Sequence, residues 1–181
     1  MARDLSRAGL ERWFDELMSR EGRSLERLAA SYTRTAGDRE DLCQEIATAI
    51  WGALPRFRGE CSERTFVFRI AHNRALAHVT RRPVSAAPIE DVDLCDPGPN
   101  PEAALARGEE SERLLDAIRE LPLGYRQVMT LTLEGLGYSD IAEVIGISES
   151  NVGARLTRAR QLLRRRFRDV PRRSAERGGG S

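Results

Sequence analysis

The chain has 181 residues, of which 40% are hydrophobic and 31% are charged, and its formal net charge is +1. This composition is typical of a globular protein with one ordinary domain or two small ones, and it excludes a disordered chain. Because no apolar run reaches about 18 residues and the start MARDLSRAGLERWF has no signal-peptide core, we predict a cytoplasmic protein without membrane insertion.

The first third of the chain predicts helices, because its apolar residues recur at spacings of three and four. A helix capped by Asp38 and ended by Pro55 should follow one or two earlier helices within residues 8–35. The apolar residues expected to pack in this part are Leu10, Trp13, Phe14, Leu17, Leu25, Leu28, Leu42, Ile46, Ile50 and Leu54.

A long helix should start near Ser62 and end before Pro83. Its apolar face is expected to carry Phe66, Ile70 and Ala77. His72 and His78 lie six residues apart on this helix, nearly on opposite sides, which argues against a metal-binding pair. We therefore expect them to be surface residues or contacts to a DNA backbone.

The chain then changes character over residues 83–102, which contain five prolines, five acidic residues and no basic residue. Such a segment predicts an extended acidic linker. The fold class is therefore all-α, with two small helical domains joined by this Pro-rich linker. The expected ranges are 1–82 for the first domain, 103–170 for the second, and 171–181 for a flexible tail.

The second domain contains the pattern of a helix-turn-helix. A short helix should start at Tyr138 or Ser139, Gly146 should provide the turn, and Ser148 should cap the second helix. One stripe of the second helix is apolar, and seven arginines occupy its other faces: the stripe residues are Val152, Leu156, Ala159, Leu163 and Phe167. This pattern is typical of DNA-binding proteins, although a solvated or protein-binding amphipathic helix has the same composition.

The small net charge conceals a strong segregation of charge. Residues 56–82 carry seven arginines against Glu60 and Glu63, and residues 149–168 carry seven arginines against Glu149 alone. Most acidic residues lie elsewhere, in the linker and in the stretches GDREDLCQE and GEESER. Two basic surfaces separated by an acidic linker favour nucleic acid as a partner.

The sequence offers no group of residues suited to catalysis. It has no Ser-His-Asp arrangement, no phosphate-binding GxxxxGK loop and no paired carboxylates in an apolar setting. Cys43, Cys61 and Cys95 are too few and too scattered for a disulfide framework or a metal clip, and we interpret them as reduced thiols. We therefore predict a protein that is not an enzyme and has no cofactor or metal.

Two segments together resemble a known family. GDREDLCQEIATAIWGALPRFRGECSERTFVFRIAHNRALAHVTRR, residues 37–82, is similar to the first conserved domain (region 2) of bacterial extracytoplasmic-function (ECF) sigma factors of RNA polymerase. LPLGYRQVMTLTLEGLGYSDIAEVIGISESNVGARLTRARQLLRR, residues 121–165, resembles the second sigma domain (region 4), which binds the minus-35 promoter element. The two segments occur in the family's order with the acidic linker between them, which is more specific than either segment alone.

The resemblance implies that the DLCQE stretch binds core RNA polymerase. In the family this motif docks on the clamp of the largest polymerase subunit, and Asp41, Gln44 and Glu45 match it. Asp41 and Glu45 lie four residues apart on one helix face, a geometry suited to arginines of a partner. The same carboxylates could instead form a solvated acidic first turn favoured by the helix dipole.

The resemblance also implies that the first domain recognises and melts the minus-ten element. Melting requires cations for the separated strand and flat side chains on which exposed bases stack. Phe57 and Phe66 could supply the stacking or could equally be core residues. The residues matched to minus-ten DNA are Arg56, Phe57, Arg58, Arg64, Thr65, Phe66, Asn73, Arg74, Arg81 and Arg82.

The second helix of the helix-turn-helix is expected to read the minus-35 element, because its first two turns would enter the major groove. Arg164 to Arg168 lie too far along the helix to reach bases and should bind the phosphate backbone. The residues expected at minus-35 DNA are Ser148, Glu149, Ser150, Asn151, Arg155 and Arg158.

These inferences together predict an alternative sigma factor whose partners are core RNA polymerase, promoter DNA and, by analogy with the family, an anti-sigma factor. Two other classes of protein make different predictions. A stand-alone helix-turn-helix regulator would need a dimer surface and a palindromic operator, and would leave the DLCQE stretch without a role. A helical adaptor that binds only proteins would keep its function after loss of Arg155 and Arg158.

Overall fold

The structure is a computed structural model that describes residues 6–81 and 101–169, with side chains in the second range described for residues 108–168. Arg82, almost all of the predicted linker and the predicted tail lie outside the described residues.

The described residues form seven α-helices and no strand, which confirms the all-α prediction. The N-terminal half comprises α1 (Arg7–Ala30), α2 (Ala36–Ala53), a 3-10 turn (Leu54–Arg56) and α3 (Glu63–Arg81). The C-terminal half comprises α4 (Pro101–Arg119), α5 (Leu123–Leu133), α6 (Tyr138–Ile145) and α7 (Glu149–Asp169).

Local sequence signals determine where helix α2 begins and which of its faces is buried. Thr35, not Asp38, caps this helix, because the Thr35 hydroxyl accepts a hydrogen bond from the Asp38 backbone N–H at 3.1 Å. The prediction of Asp38 as the cap was therefore wrong by one turn. Asp38 instead lies in the first turn, where the helix dipole favours a carboxylate. The predicted apolar stripe is confirmed, since Leu42, Ile46, Ile50 and Leu54 are fully buried.

Helix α3 is buried more extensively than its periodicity predicted. The expected face residues Phe66, Ile70 and Ala77 are only partly buried, whereas Phe68 and Ala71 have no exposed surface. The reason is that α3 packs against α1 and α2 on one side and against α6 of the C-terminal half on another. A helix covered from two sides has a wider buried face than one apolar stripe indicates.

The two histidines of α3 correct the sequence interpretation. His72 and His78 are both buried, with 2% and 7% of their surface exposed. The prediction of surface or DNA-backbone histidines was wrong, because the contacts of α3 with neighbouring helices cover both positions. The two positions lie about 120° apart around the helix axis, so the side chains point in different directions and do not form a pair.

The helix-turn-helix forms as its local signals indicate. Gly146 ends α6 with a φ of 77°, a left-handed conformation that strongly favours glycine. The Ser148 hydroxyl accepts a hydrogen bond from the Asn151 N–H at 3.3 Å and so caps α7. The α7 stripe is buried from Val152 through Leu163, but Phe167 near the helix end remains 45% exposed.

The N-terminal and C-terminal halves share one hydrophobic core. Buried residues from α1, α2 and α3 continue without interruption into those of α4 to α7, and α3 packs along α6. The sequence predicted two domains but contained no indication of this packing. Within the described ranges, no helix is both long enough and apolar enough to span a bilayer.

Candidate functional site

A groove of about 1190 Å³ runs between α2 and α3. It is lined by the residues matched to polymerase binding and by several of those matched to minus-ten DNA, although the two sets lie far apart in the sequence. The predicted site residues that line it are Asp41, Gln44, Glu45, Arg56, Asn73, Arg74 and Arg81.

The two walls of this α2–α3 groove carry opposite charges. The carboxylates project from α2, while Arg74 and Arg81 project from α3. One ion pair crosses the groove, from Arg81 Nη2 to Glu45 Oε2 at 2.7 Å. Because both side chains are substantially exposed, such a pair contributes only about 0 to 1 kcal/mol and is readily exchanged for a binding partner.

The loop before α3 presents a different environment. Phe57 packs on Phe66 with ring centroids 4.8 Å apart and on Trp13 at 5.7 Å. Both phenylalanines are partly buried, so in this conformation their main contact is with the core rather than with solvent. Arg58 is exposed on the same loop and could meet a phosphate.

Arg64 and Thr65, like Phe57, Arg58 and Phe66, do not line the groove. Arg64 donates from Nη1 to the buried carboxylate of Glu21 at 2.6 Å, and from Nη2 to the backbone carbonyl of Glu134. Thr65 is almost fully buried and donates to Asp140 Oδ1 at 2.8 Å. Both side chains therefore bind parts of this chain, and two of their partners belong to the C-terminal half.

The start of α7 is an open polar surface. Residues 148–151 are all exposed, as are Arg158 and the arginines beyond it. Arg155 donates from Nε to Asn151 Oδ1 at 3.1 Å, which orients the two side chains together. Farther along the helix, Arg166 pairs with Glu120, which directly follows α4, with Nη2 and Oε1 2.7 Å apart. The six residues predicted for minus-35 DNA thus lie at the Ser148 cap and within the first three turns of α7.

His72 lies where the two halves of the chain meet. Its Nε2 is 3.3 Å from Nε2 of Gln127 in α5, and its ring contacts the ring of Tyr32 at 6.5 Å between centroids. Burial lowers the pKa of His72 from 6.5 to about 4. The imidazole is therefore neutral near pH 7 and can accept a hydrogen bond from the Gln127 amide.

Acidification is expected to destabilise the protein through His72. Between pH 6.5 and pH 4 the unfolded chain binds a proton at this residue and the folded chain does not, so stability decreases as the pH decreases. From pH 7.5 to pH 4.5 the loss should be about 2.5 kcal/mol. Urea unfolding at both pH values would measure it.

The variant His72→Gln is the control for this prediction, because glutamine is uncharged at both pH values and keeps a side chain that can form hydrogen bonds. Its free energy of unfolding should decrease less than that of the wild type over the same pH interval. An equal decrease in both proteins would show that carboxylates, rather than His72, cause the acid sensitivity.

Comparison with known proteins identifies the family. Residues 17–83 match the protein family described as Sigma-70 region 2, and residues 111–163 match Sigma-70, region 4. The RNA polymerase sigma factor NccH of Alcaligenes xylosoxydans is 30% identical over 83% of this chain and 84% of its own length. The ECF RNA polymerase sigma-E factor of Haemophilus influenzae is 30% identical over 90% of this chain and 91% of its own.

The chain belongs to the ECF family of RNA polymerase sigma factors. It is an alternative sigma factor that directs transcription initiation. The solved structure of CnrH in complex with the cytosolic domain of CnrY has a TM-score of 0.67 and 28% identity, covering 88% of this chain and 91% of CnrH. The RpoE–NepR complex from Bartonella quintana also has a TM-score of 0.67, but at 20% identity it shows the fold alone.

Sequence reasoning missed one feature of this sigma factor, the contact surface between its halves. We call it the α3–α6 junction: Arg64, Thr65 and Arg69 of α3, Arg27 of α1, and Glu134, Asp140 and Glu143 of the C-terminal half. Its partners lie 70 or more positions apart in sequence, so no local periodicity could indicate the pairing. Glu134 directly follows the apolar helix α5, and its burial becomes visible only in the structure.

Proposed function

We propose that the α2–α3 groove is the surface on which this sigma factor meets both core RNA polymerase and minus-ten DNA. The supporting observation is that seven of the matched motif residues, scattered in sequence, line one groove with an acidic and a basic wall. Asp41, Gln44 and Glu45 would bind basic groups of the polymerase. Arg56, Asn73, Arg74 and Arg81 would contact the separated DNA strand.

The first two turns of α7 would read minus-35 DNA as duplex. Their exposed polar side chains lie at the start of α7, which follows the turn at Gly146 and is capped by Ser148. A recognition helix enters the major groove with this geometry. Asn151 and Arg155 are the residues best placed for base edges, and Arg158 for a flanking phosphate. Residues 1–82 and 103–170 would thus act as separate binding modules.

Each module alone should bind weakly, because it offers few phosphate contacts. Affinity would arise when polymerase holds both modules over one promoter, so that the second contact becomes intramolecular. The chemistry of RNA synthesis would belong entirely to the polymerase, and the sigma factor would act in the cytoplasm as a non-catalytic subunit without cofactor.

Transcription in vitro tests this function directly. Core polymerase from the source organism, sheared genomic DNA and the purified chain should give new discrete transcripts that are missing without the chain. Mapping their starts would give the promoter sequence. A stand-alone regulator predicts the reverse result, with no transcripts and a symmetric footprint made by the protein alone.

An anti-sigma factor is the third proposed partner. CnrH, which is similar to this chain over most of its length, has been solved in complex with the cytosolic domain of CnrY. A comparable regulator of this chain should be recovered when the tagged endogenous protein is purified from cells. Recovery of polymerase subunits alone, under several growth conditions, would argue against it.

A further inference from the structure

Four arginines that the proposed function does not use lie close together on the side of the molecule where the connection between α1 and α2 approaches the connection between α4 and α5. Arg34 and Arg39 belong to the N-terminal half, and Arg119 and Arg126 belong to the C-terminal half. The charges of Arg34 and Arg39 both act on Arg119, and those of Arg34 and Arg119 act on Arg126. All four residues are partly buried. We call this set the arginine cluster.

The arginine cluster has far more positive than negative charge. Within residues 6–81 and 101–169, Asp116 is the one carboxylate that pairs with a member of the cluster, at 2.9 Å from Nη1 of Arg119. Burial lowers the pKa of both Arg119 and Arg126, and repulsion by neighbouring arginines lowers it further, although Asp116 offsets part of this effect at Arg119. Three of the four guanidinium groups therefore have no carboxylate partner in a region where charge is poorly solvated.

Backbone carbonyls fix two of these guanidinium groups in position. Arg119 donates from Nε to the carbonyl of Ala30 at 3.0 Å. Arg126 donates from Nη2 to the carbonyls of Arg119 and Leu121. A carbonyl orients the guanidinium group without neutralising it, since the carbonyl has no net charge. Donors held in this way lose little conformational freedom when they bind a ligand.

Three buried donors in this region have no hydrogen-bond partner among the described residues. They are Nη1 of Arg39, Nε of Arg126 and the hydroxyl group of Tyr32. Tyr32 has only 7% of its surface exposed, and the guanidinium carbon of Arg126 lies 5.9 Å from its ring centroid. Buried donors are normally paired, because an unpaired one costs free energy. Water would supply an acceptor but leave the charge uncompensated, whereas an anion supplies both.

The donors define the chemistry of such an anion. Guanidinium groups donate pairs of N–H bonds to the oxygens of phosphate and carboxylate groups. Several arginines that converge from different helices favour a multiply charged group with oxygens on all sides, which describes a phosphate better than a planar carboxylate. The Tyr32 hydroxyl adds a further donor of the same kind.

We propose that the arginine cluster and the Tyr32 hydroxyl form a binding site for a small phosphate-bearing anion. The recognised group is a phosphate or a short phosphate chain, whether inorganic or part of a nucleotide. Because both halves of the chain supply arginines, the bound anion bridges them and stabilises the folded protein. The site uses none of the residues proposed for polymerase or promoter binding, so the proposal does not depend on the proposed function.

Pyrophosphate is the probe for the first experiment, with the full-length chain in magnesium-free buffer and the ionic strength held constant with sodium chloride. Isothermal titration calorimetry should show one pyrophosphate bound per chain, and orthophosphate should bind more weakly because it has less charge. At a pyrophosphate concentration 100-fold above its Kd, the melting temperature should rise by about 5 °C or more.

Two variants test the assignment of the site. Arg39→Gln removes one unpaired charge, and Tyr32→Phe removes an unpaired hydroxyl group. Neither change breaks a hydrogen bond of the folded chain, so without pyrophosphate both variants should melt at or above the wild-type temperature. Each should bind pyrophosphate about tenfold more weakly, because each has lost one donor to a charged group. Arg113→Gln, at an exposed arginine of α4, is the matched control and should bind like the wild type.

A second titration distinguishes the two sources of the phosphate chain. Tripolyphosphate and ATP have the same number of phosphate groups, but only ATP has a nucleoside. Equal affinities would assign the phosphate chain alone as the recognised group. Tighter binding of ATP, again weakened by Arg39→Gln, would assign a nucleotide.

Three results would overturn the proposal. The first is a wild-type chain that binds pyrophosphate no better than chloride. The second is an equal loss of affinity in Arg113→Gln and Arg39→Gln, which would show that any arginine contributes through net charge. The third is a short DNA duplex whose binding depends on Arg39 while pyrophosphate does not bind, which would make the arginine cluster a DNA contact.

Discussion

Loss of core polymerase binding is expected when Asp41 and Gln44 are both replaced by alanine. The two side chains are exposed on the acidic wall of the α2–α3 groove, one helical turn apart. Removing charged partners from a protein interface typically costs about 2 kcal/mol or more, which corresponds to about 30-fold in affinity. Fluorescence anisotropy of the labelled chain titrated with core polymerase would measure it, and promoter-specific transcripts should disappear.

The control for this prediction is Glu40→Ala, which removes an exposed carboxylate from the start of the same helix but outside the groove. It should bind polymerase like the wild type. If the Asp41 and Gln44 variant also binds with wild-type affinity while its helical content is unchanged, the assignment of the acidic wall to polymerase is wrong.

Replacement of Arg155 and Arg158 by alanine should remove minus-35 recognition. A single base or phosphate contact is worth about 1 to 3 kcal/mol, so binding of minus-35 duplex should decrease by about 30-fold or more. The dependence on salt should also become less steep, by about one unit in the logarithmic slope for each phosphate that is no longer neutralised. Electrophoretic mobility shifts at several salt concentrations would show both effects.

Arg113→Ala is the matched control, because Arg113 is an exposed arginine on α4 rather than α7. Each arginine replaced by alanine removes one positive charge, on α4 as on α7. A nonspecific electrostatic effect would therefore appear in the Arg113 variant too. A double variant that still initiates transcription at wild-type promoters would favour an adaptor that binds only proteins.

Features determined by neighbouring residues could be predicted from the sequence. The helix-turn-helix depends on Gly146 and Ser148, whose backbone freedom and hydroxyl group act within one helical turn. The buried stripe of α2 likewise follows from apolar spacing alone. The α2–α3 groove was predictable only through the family resemblance, which indicated that residues distant in sequence share a function.

Features that depend on distant contacts could not be predicted. Nothing near His72 in sequence indicates that Gln127 covers it, and an amphipathic pattern cannot show that a second helix packs on the far side of α3. Thr65 is a further example, because a threonine at a helix start is usually a local polar residue, whereas here it donates to Asp140 across 75 positions.

If the α2–α3 groove binds polymerase and DNA as proposed, the ion pair between Glu45 and Arg81 couples the two contacts. A polymerase group that binds Glu45 leaves the Arg81 guanidinium, until then neutralised, available to a phosphate. By thermodynamic linkage, each ligand then raises the affinity of the groove for the other by the same factor. Because the Arg81 and Glu45 side chains are 60% and 37% exposed, this coupling would amount to at most about 1 kcal/mol, or about fivefold in affinity.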